Sequence, residues 1–252
     1  MKGRRTIRAW AVIFWLLLWQ AGAMAIDQRI ILVSPLRVLA RLTELIPTLD
    51  FWGAIWYSLV RITAGFLLGT AAGVVLAALS ARFRRVEELL APALLAIKSI
   101  PVASFIILAL ILFSSRNLAV LISFLIVLPV LYTNLLSGIR AADPQLLEMA
   151  RVFRIPTLRS IRYVYLPQVL PFFRSACGSA LGLCWKSGIA AEVIGMPDGS
   201  IGEQLQQAKI YLNTPDLFAW TLVIVLLSAT LSTLAAWALR RAKRALCGEV
   251  EG

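Results

Sequence analysis

Six apolar stretches decide most of what this chain can fold into. They cover residues 9–26, 56–80, 89–113, 118–138, 168–193 and 217–239, each near the ~20 residues that carry a helix across ~30 Å of hydrocarbon. Inside a bilayer every backbone amide must be satisfied within the protein, so segments of this length close into helices. Composition agrees: 60% of residues are hydrophobic and 15% charged, where soluble domains run near 45–50% and about 25%. The expectation is an all-α, polytopic transmembrane helix bundle of about six spans.

The formal net charge of +12 would suit a nucleic-acid partner. The basic residues, however, come in short clusters between apolar runs, which is how a membrane protein orients itself. With the N-terminus placed in the cytoplasm, sixteen of the 25 Lys and Arg fall on inside segments. Five fall outside (Arg29, Arg37, Arg41, Arg116, Lys209) and four within spans (Arg61, Lys98, Arg174, Lys186). That bias predicts a multi-pass protein with both termini cytoplasmic and no nucleic-acid partner.

The opening "MKGRRTIR" and the "AGAMA" that ends the first span resemble a signal peptide with an Ala-x-Ala site at Ala23 and Ala25. The segment is longer and richer in Trp than such h-regions, so a retained anchor is the reading kept. Residues 1–55 are thus expected to form an anchor plus an external amphipathic segment, "SPLRVLARLTELI". Residues 56–240 would form the core and 241–252 a cytoplasmic tail. In the second span Gly65, Gly69 and Gly73 are each four apart, on one helical face, where another backbone can approach closely. Pro92, Pro101, Pro129 and Pro171 lie inside spans, as in bundles that bend.

Between the fourth and fifth spans lies "EMARVFRIPTLRSIRYVYLP", residues 148–167, with four arginines and one glutamate. Asp143-Pro144 is a helix-start signal, Asp as N-cap and Pro at the first helical position. A helix through Gln145–Phe153 follows, and Ile155-Pro156 breaks it, because the residue before proline is pushed out of the helical region. A second helix is expected from about Thr157 toward Leu166-Pro167. Two short helices with a bend make a platform that inserts into a partner's groove; a solvated loop attracted to anionic headgroups has the same composition.

This stretch resembles the cytoplasmic pattern E-A-A-x3-G-x9-I-x-L-P of ATP-binding-cassette importer permeases. The spacing is kept from Glu148 and Ala150 through Arg154 to Val164, Leu166 and Pro167. Met149, Arg154 and Val164 replace the pattern's central Ala, its Gly and its Ile. The glycine is where the chain takes φ > 0 cheaply, so Arg154 puts the shape of the turn in question. The resemblance extends from about Ser34 to the final span. "SLVRITAGFLLG" (58–69), "KSIPVASF" (98–105) and "WKSGIAAEVIGMPDGSIGEQLQQAK" (185–209) look like permeases for nitrate, sulfonate and taurine-type solutes, with a MetI-like fold. The resemblance implies an importer subunit of a bacterial inner membrane, forming the route for a small solute. Its implied partners are a second permease copy, two cytoplasmic ATPase subunits and an external solute-binding protein. The loop Glu148–Pro167 would be the coupling helix. ATP and Mg would be bound by the separate ATPase, since no GxxxxGK[ST] loop exists here.

In the fifth span Trp185, Gly188 and Glu192 recur at i, i+3 and i+7 on one face. Ionisable residues inside membranes usually face the bundle interior or water, so this face is the candidate solute route, with Lys186 as an anion attractor. An interfacial Glu192 and a snorkelling Lys186 are the other reading. For Arg61, Lys98 and Arg174 structural or interfacial roles are expected, and for Cys177 and Cys184 buried positions. The chain has no histidine and no CxxC pair, so no metal site and no disulfide framework is expected. Nor is there a nucleophile–base constellation, which argues against an enzyme. A self-contained carrier or channel using its own ionisable residues is the alternative, and it should show paired halves.

Overall fold

The structure, a computed structural model, describes residues 9–26 and 32–247. Lys2, Arg4, Arg5, Arg8 and Arg29 of the charge reading, and the end of the tail, lie outside these residues. Among the described residues the chain is all-α: α1 (Ala9–Ile26), α2 (Pro35–Leu45), α3 (Leu49–Arg82), α4 (Arg84–Ser99), α5 (Val102–Leu112) and α6 (Ser115–Arg140) come first. They are followed by α7 (Pro144–Val152), α8 (Thr157–Ser160), a π-helical turn (Ile161–Tyr165), α9 (Leu166–Gly195), α10 (Ile201–Ile210) and α11 (Thr214–Cys247).

Among the described residues three helices are long and apolar enough to cross a membrane: Leu49–Arg82, Ser115–Arg140 and Thr214–Arg241. The pair Arg84–Ser99 and Val102–Leu112 makes a fourth if it is one span, but it is bent by 108°. The six-span count is therefore not confirmed, and the reasons are local. Stretch 89–113 is no continuous rod, because Pro101 holds Ile100 extended at φ −78, ψ 128. The apolar part of α1 reaches only from Trp10 to Ala25. At 30 residues α9 is long enough, yet it carries Arg174, Lys186 and Glu192 among many Ser and Gly. One face of α9 is packed in the bundle, and a face packed in this way does not need the apolar surface that lipid demands.

The core is built on α6, which packs against α3 on one side and α9 on another. In α6 56% of the most apolar window is buried inside the protein, against 6% in α11, so α6 is central and α11 peripheral. Gly65, Gly69 and Gly73 all lie in the α3–α6 contact. A Cβ at Gly65 would sit 2.5 Å from the Val120 carbonyl oxygen, one at Gly69 2.8 Å from Val127 Cβ, and one at Gly73 2.8 Å from Leu131 Cβ. Backbones this close gain dispersion contacts that larger side chains would forbid. Ile62, Val127, Leu131, Cys184 and Trp185 fill the centre. Near one end Tyr132 donates to Ser80 at 3.0 Å, tying α6 to α3.

The amphipathic segment around α2 is tied to the rest of the bundle. Arg41 on α2 pairs with Asp216 at the start of α11, with Nη2–Oδ2 at 3.2 Å. The bond to Asp216, ahead of that to Glu44, raises the Arg41 pKa above arginine's ordinary value.

Candidate functional site

At one end of α9 the chain forms a compact hairpin. The Asp143 carboxylate accepts from Gln145 N at 2.8 Å, capping α7 at the residue the sequence marks as its start. Asp143 N donates to Gln168 Oε1 at 2.8 Å, and Gln168 Nε2 donates to the Val164 carbonyl at 3.0 Å. One side chain of α9 thus binds both the start of α7 and the π-helical turn.

The helix ends in a left-handed turn. Arg154 N bonds to the Arg151 carbonyl at 3.0 Å and Ile155 N to the Ala150 carbonyl at 2.9 Å, the two-bond closure of a Schellman motif. Arg154 sits at its left-handed position with φ 49. Arginine therefore takes the conformation for which the related pattern uses glycine, at a cost of roughly 1–2 kcal/mol. After Pro156 the path is helical from Thr157 to Gly195, so no break separates the second short helix from α9.

Of the residues singled out here, Ala150 and Val164 are buried, Leu166 is half-buried, and Glu148, Arg154 and Pro167 are exposed. Large apolar side chains around them are well exposed: Val152 is 72%, Phe153 73% and Leu158 80% exposed. Arg151, Arg154, Arg159 and Arg162, which alternate with them along the chain, are exposed as well.

At the other end of α9 the arrangement is inverted. Glu192 is fully buried. Its Oε2 accepts from the Ser58 hydroxyl of α3 at 2.5 Å and from Gly202 N of α10 at 3.4 Å. Ser58 Oγ in turn accepts from Ile201 N at 3.0 Å. Trp185 is buried and donates from Nε1 to the Ile224 carbonyl of α11 at 3.1 Å. Gly188 lies where a Cβ would stand 2.7 Å from Ile62 Cγ1 and 2.9 Å from Ser123 Oγ. Trp185, Gly188 and Glu192 do share a face, and that face is turned into the protomer. Lys186 is exposed on the opposite side.

That opposite side is open and finely polar. Ser175, Gly178, Ser179 and Lys186 are exposed along it, and nothing lies within 4 Å of a Cβ placed on Gly178 or Gly182. A groove of about 340 Å³ runs between α9 and α11, lined among others by Arg174, Ser175, Gly178 and Ser232. Of the other intramembrane cations, Arg61 donates to the Arg116 carbonyl at 2.6 Å and lies 4.4 Å from the Tyr57 ring centroid. Lys98 is exposed, and Cys177 and Cys184 are buried free thiols.

Sequence reading missed Ser58 as the partner of Glu192. A signal existed: Ser58 continues the Gly65, Gly69, Gly73 stripe at i−7, so it had to face the bundle. Gln168 gave none, since its two bonds depend on how the hairpin folds back.

Residues 65–246 match the family described as binding-protein-dependent transport system inner membrane component. A Bacillus subtilis protein, provisionally named aliphatic sulfonates transport permease protein SsuC, is 28% identical over 209 residues, spanning 82% of this chain and 75% of the relative. The riboflavin transport system permease protein RibX of Chloroflexus aurantiacus is 28% identical over 222 residues, 87% of this chain and 82% of the relative. Among solved structures, an amino acid ABC transporter crystallised with histidines shares the fold at TM-score 0.58 and 20% identity, covering 82% of this chain and 97% of that one.

Proposed function

The chain belongs to the binding-protein-dependent transport system inner membrane components, and from that premise we propose that its α7–α8 hairpin is the surface that docks on the transporter's ATPase. The protein is a multi-pass permease subunit of an ATP-driven ABC importer, rather than a carrier or channel complete in itself. Such a subunit works with an ATPase and a solute-binding protein. In our reading ATP and Mg are held by a separate ATPase dimer, a second permease copy completes the pore, and both termini face the cytoplasm of a bacterial inner membrane.

One observation carries the docking reading: Val152, Phe153 and Leu158 expose 72%, 73% and 80% of their surface at the tip of an otherwise well-bonded hairpin. Large exposed apolar side chains interspersed with exposed arginines at a helix–turn–helix tip fit insertion into a partner's groove, with the charges setting orientation at the rim. The Gln168 bonds and the unbroken helical path into α9 give a displacement of the tip a rigid route into the bundle. ATPase closure on the hairpin would thereby switch the permease between inward- and outward-facing states.

The solute route, in this reading, follows the open side of α9, past Ser175, Gly178, Ser179 and Lys186. Trp185, Gly188 and Glu192 support it from behind. An exposed lysine on that side suits a solute with an anionic group, the class to which a sulfonate belongs.

The test is an affinity pull-down of the tagged permease from native membranes, with partners identified by mass spectrometry, beside a Glu148→Arg variant. An ABC ATPase recovered with the wild type and lost with the variant is the expected result. An ATPase retained by the variant would remove Glu148 from the docking surface. No ATPase in either sample, with the permease folded, would return the hairpin to a lipid-facing charge cluster.

A further inference from the structure

Glu192 is a carboxylate where a membrane protein can least leave one unexplained: fully buried, in the last turn of α9. No Lys or Arg among the described residues forms a salt bridge with it. Arg61, on the same helix as Ser58, is engaged by the Arg116 carbonyl, the Asn117 side chain at 3.3 Å and the Tyr57 ring. What faces Glu192 instead is the start of α10, a helix of ten residues.

The first amides of that helix are shared out. Glu203 N donates to the Ser200 hydroxyl at 3.0 Å, and the Glu203 carboxylate accepts from Gly199 N at 2.5 Å. That is a self-contained cap of the kind that starts many helices. Ile201 N and Gly202 N are left over, and they go to Ser58 Oγ and Glu192 Oε2. Ser58 and Glu192 are bonded to each other. Three helices therefore meet in one short chain of hydrogen bonds, α3 through Ser58, α9 through Glu192 and α10 through its backbone. Packing seals the joint: a Cβ on Gly202 would collide with the backbone and Cβ of Glu192.

We infer that Glu192 is a positioning residue that fixes α10 and the Met196–Ser200 loop to the α3–α9 pair, working as a hydrogen-bond acceptor and not as a charge presented to solute. The last turns of α9 and α10 then move as one arm. This goes beyond the importer reading and does not require it. A charge lining the solute route would be destroyed by replacement with glutamine. An acceptor is preserved, because glutamine keeps a carbonyl oxygen for Ser58 and Gly202.

The experiment uses the full-length permease in lipid nanodiscs, without partners. Spin labels are placed at Trp56→Cys on α3 and Tyr211→Cys after α10, both exposed, with Cys247 replaced by serine. Distances are read by double electron–electron resonance. Wild type and Glu192→Gln should give the same narrow distance distribution. Glu192→Ala and Ser58→Ala should each broaden it about twofold, and the double variant no further, since both singles open one local contact. If Glu192→Ala does not fold, Ser58→Ala, which deletes only a hydroxyl, answers the same question. An unchanged distribution in the alanine variants overturns the inference. So does a Glu192→Gln distribution as broad as that of alanine, which would return Glu192 to a charge-dependent role. The pull-down of an ATPase is indifferent to all of these outcomes, so failure here and failure of the importer reading are told apart.

Discussion

The two ends of α9 use similar raw material in opposite ways. At the α7 end a glutamate, four arginines and several large apolar residues stand out from the protein, and the backbone beneath them is held by Gln168 and a Schellman turn. At the α10 end a glutamate is buried, and the oxygen it commits, Oε2, goes to the chain's own helices. The contrast separates groups kept for a partner from groups consumed by the fold. An exposed apolar tip on a rigid base is a surface waiting to be covered. One oxygen of that buried carboxylate, Oε2, already has its partners in a hydroxyl and a helix N-terminus, while Oε1 is buried with no hydrogen-bond partner among the described residues; leaving either donor unpaired would cost about 1–3 kcal/mol.

The largest predicted effect tests the inward end. Gly202→Val should drive α10 off α9, because its Cβ would overlap Glu192; overpacking of this kind costs ~3 kcal/mol. Thermal unfolding of the purified permease in detergent should show a midpoint drop of several degrees, or little folded protein. The matched change on the open side, Gly178→Val, meets nothing within 4 Å and should shift stability by no more than ~0.5 kcal/mol. Equal losses at the two positions would mean that the open side is occupied, and the contrast between the faces of α9 would fail.

The outward end should respond in the opposite currency. Phe153→Ala with Leu158→Ala removes the two most exposed apolar groups of the hairpin and should leave the unfolding midpoint where it is. Affinity for the ATPase should fall ~30-fold, about 2 kcal/mol, as for truncation of buried anchors in an interface. Titration of the ATPase onto permease nanodiscs reads this directly. A fall in stability with no change in affinity would make the hairpin part of the permease's own core.

How far the sequence revealed these ends differs, for a physical reason. The α7 hairpin was legible nearly whole: Asp143, Pro144 and Ile155-Pro156 act over a few residues, so cap, helix and break follow from local rules. The face shared by Trp185, Gly188 and Glu192 was equally legible, since helical periodicity is local too. Which way that face turned was not. It depends on Ser58, Ile62 and Ser123, which come from α3 and α6, and no local signal ranks one partner helix above another. The same limit explains the span count. Apolar length marks lipid contact well, but α9 buries one face and keeps polar residues on its open side, and the stretch 89–113 bends at Ile100-Pro101. In the sequence Arg41 counted only as one of the five outside basic residues, and its partner Asp216 lies 175 residues away.

A smaller effect sharpens the outward end. Arg154 holds φ 49, where a side chain costs about 1–2 kcal/mol that glycine does not. Glycine also gains freedom in the unfolded chain, which offsets up to ~1 kcal/mol of the relief. Arg154→Gly should therefore leave stability level or raise it by up to ~1 kcal/mol, with ATPase affinity within about threefold of wild type if the turn's shape matters more than the charge. Arg154→Val, a β-branched residue at the same angle, should do worse than either. A tenfold loss of affinity in the glycine variant would instead make the guanidinium itself a docking contact.

The smallest effect asks whether exposure also governs contacts made near the inward end. Arg41 keeps 34% of its side-chain surface exposed and Asp216 19%, so their pair joins α2 to α11 in partial contact with water. Pairs of that kind contribute ~0.5 kcal/mol and are weakened by salt. Pairing raises the Arg41 pKa, so its share of stability is fully present below arginine's ordinary value and is lost only as pH rises through the raised one. Between about pH 6 and about pH 9 arginine stays charged in the folded and unfolded chain alike, and this share is flat. Salt is the lever. Arg41→Gln should lower the unfolding midpoint slightly at low ionic strength, and the gap should close as salt is added. A gap that persists in ~1 M salt, where charges separated by more than ~3 Å are screened, would show the pair to be as enclosed as Glu192, and the inward character of that end would then reach across α2 to the surface of the bundle.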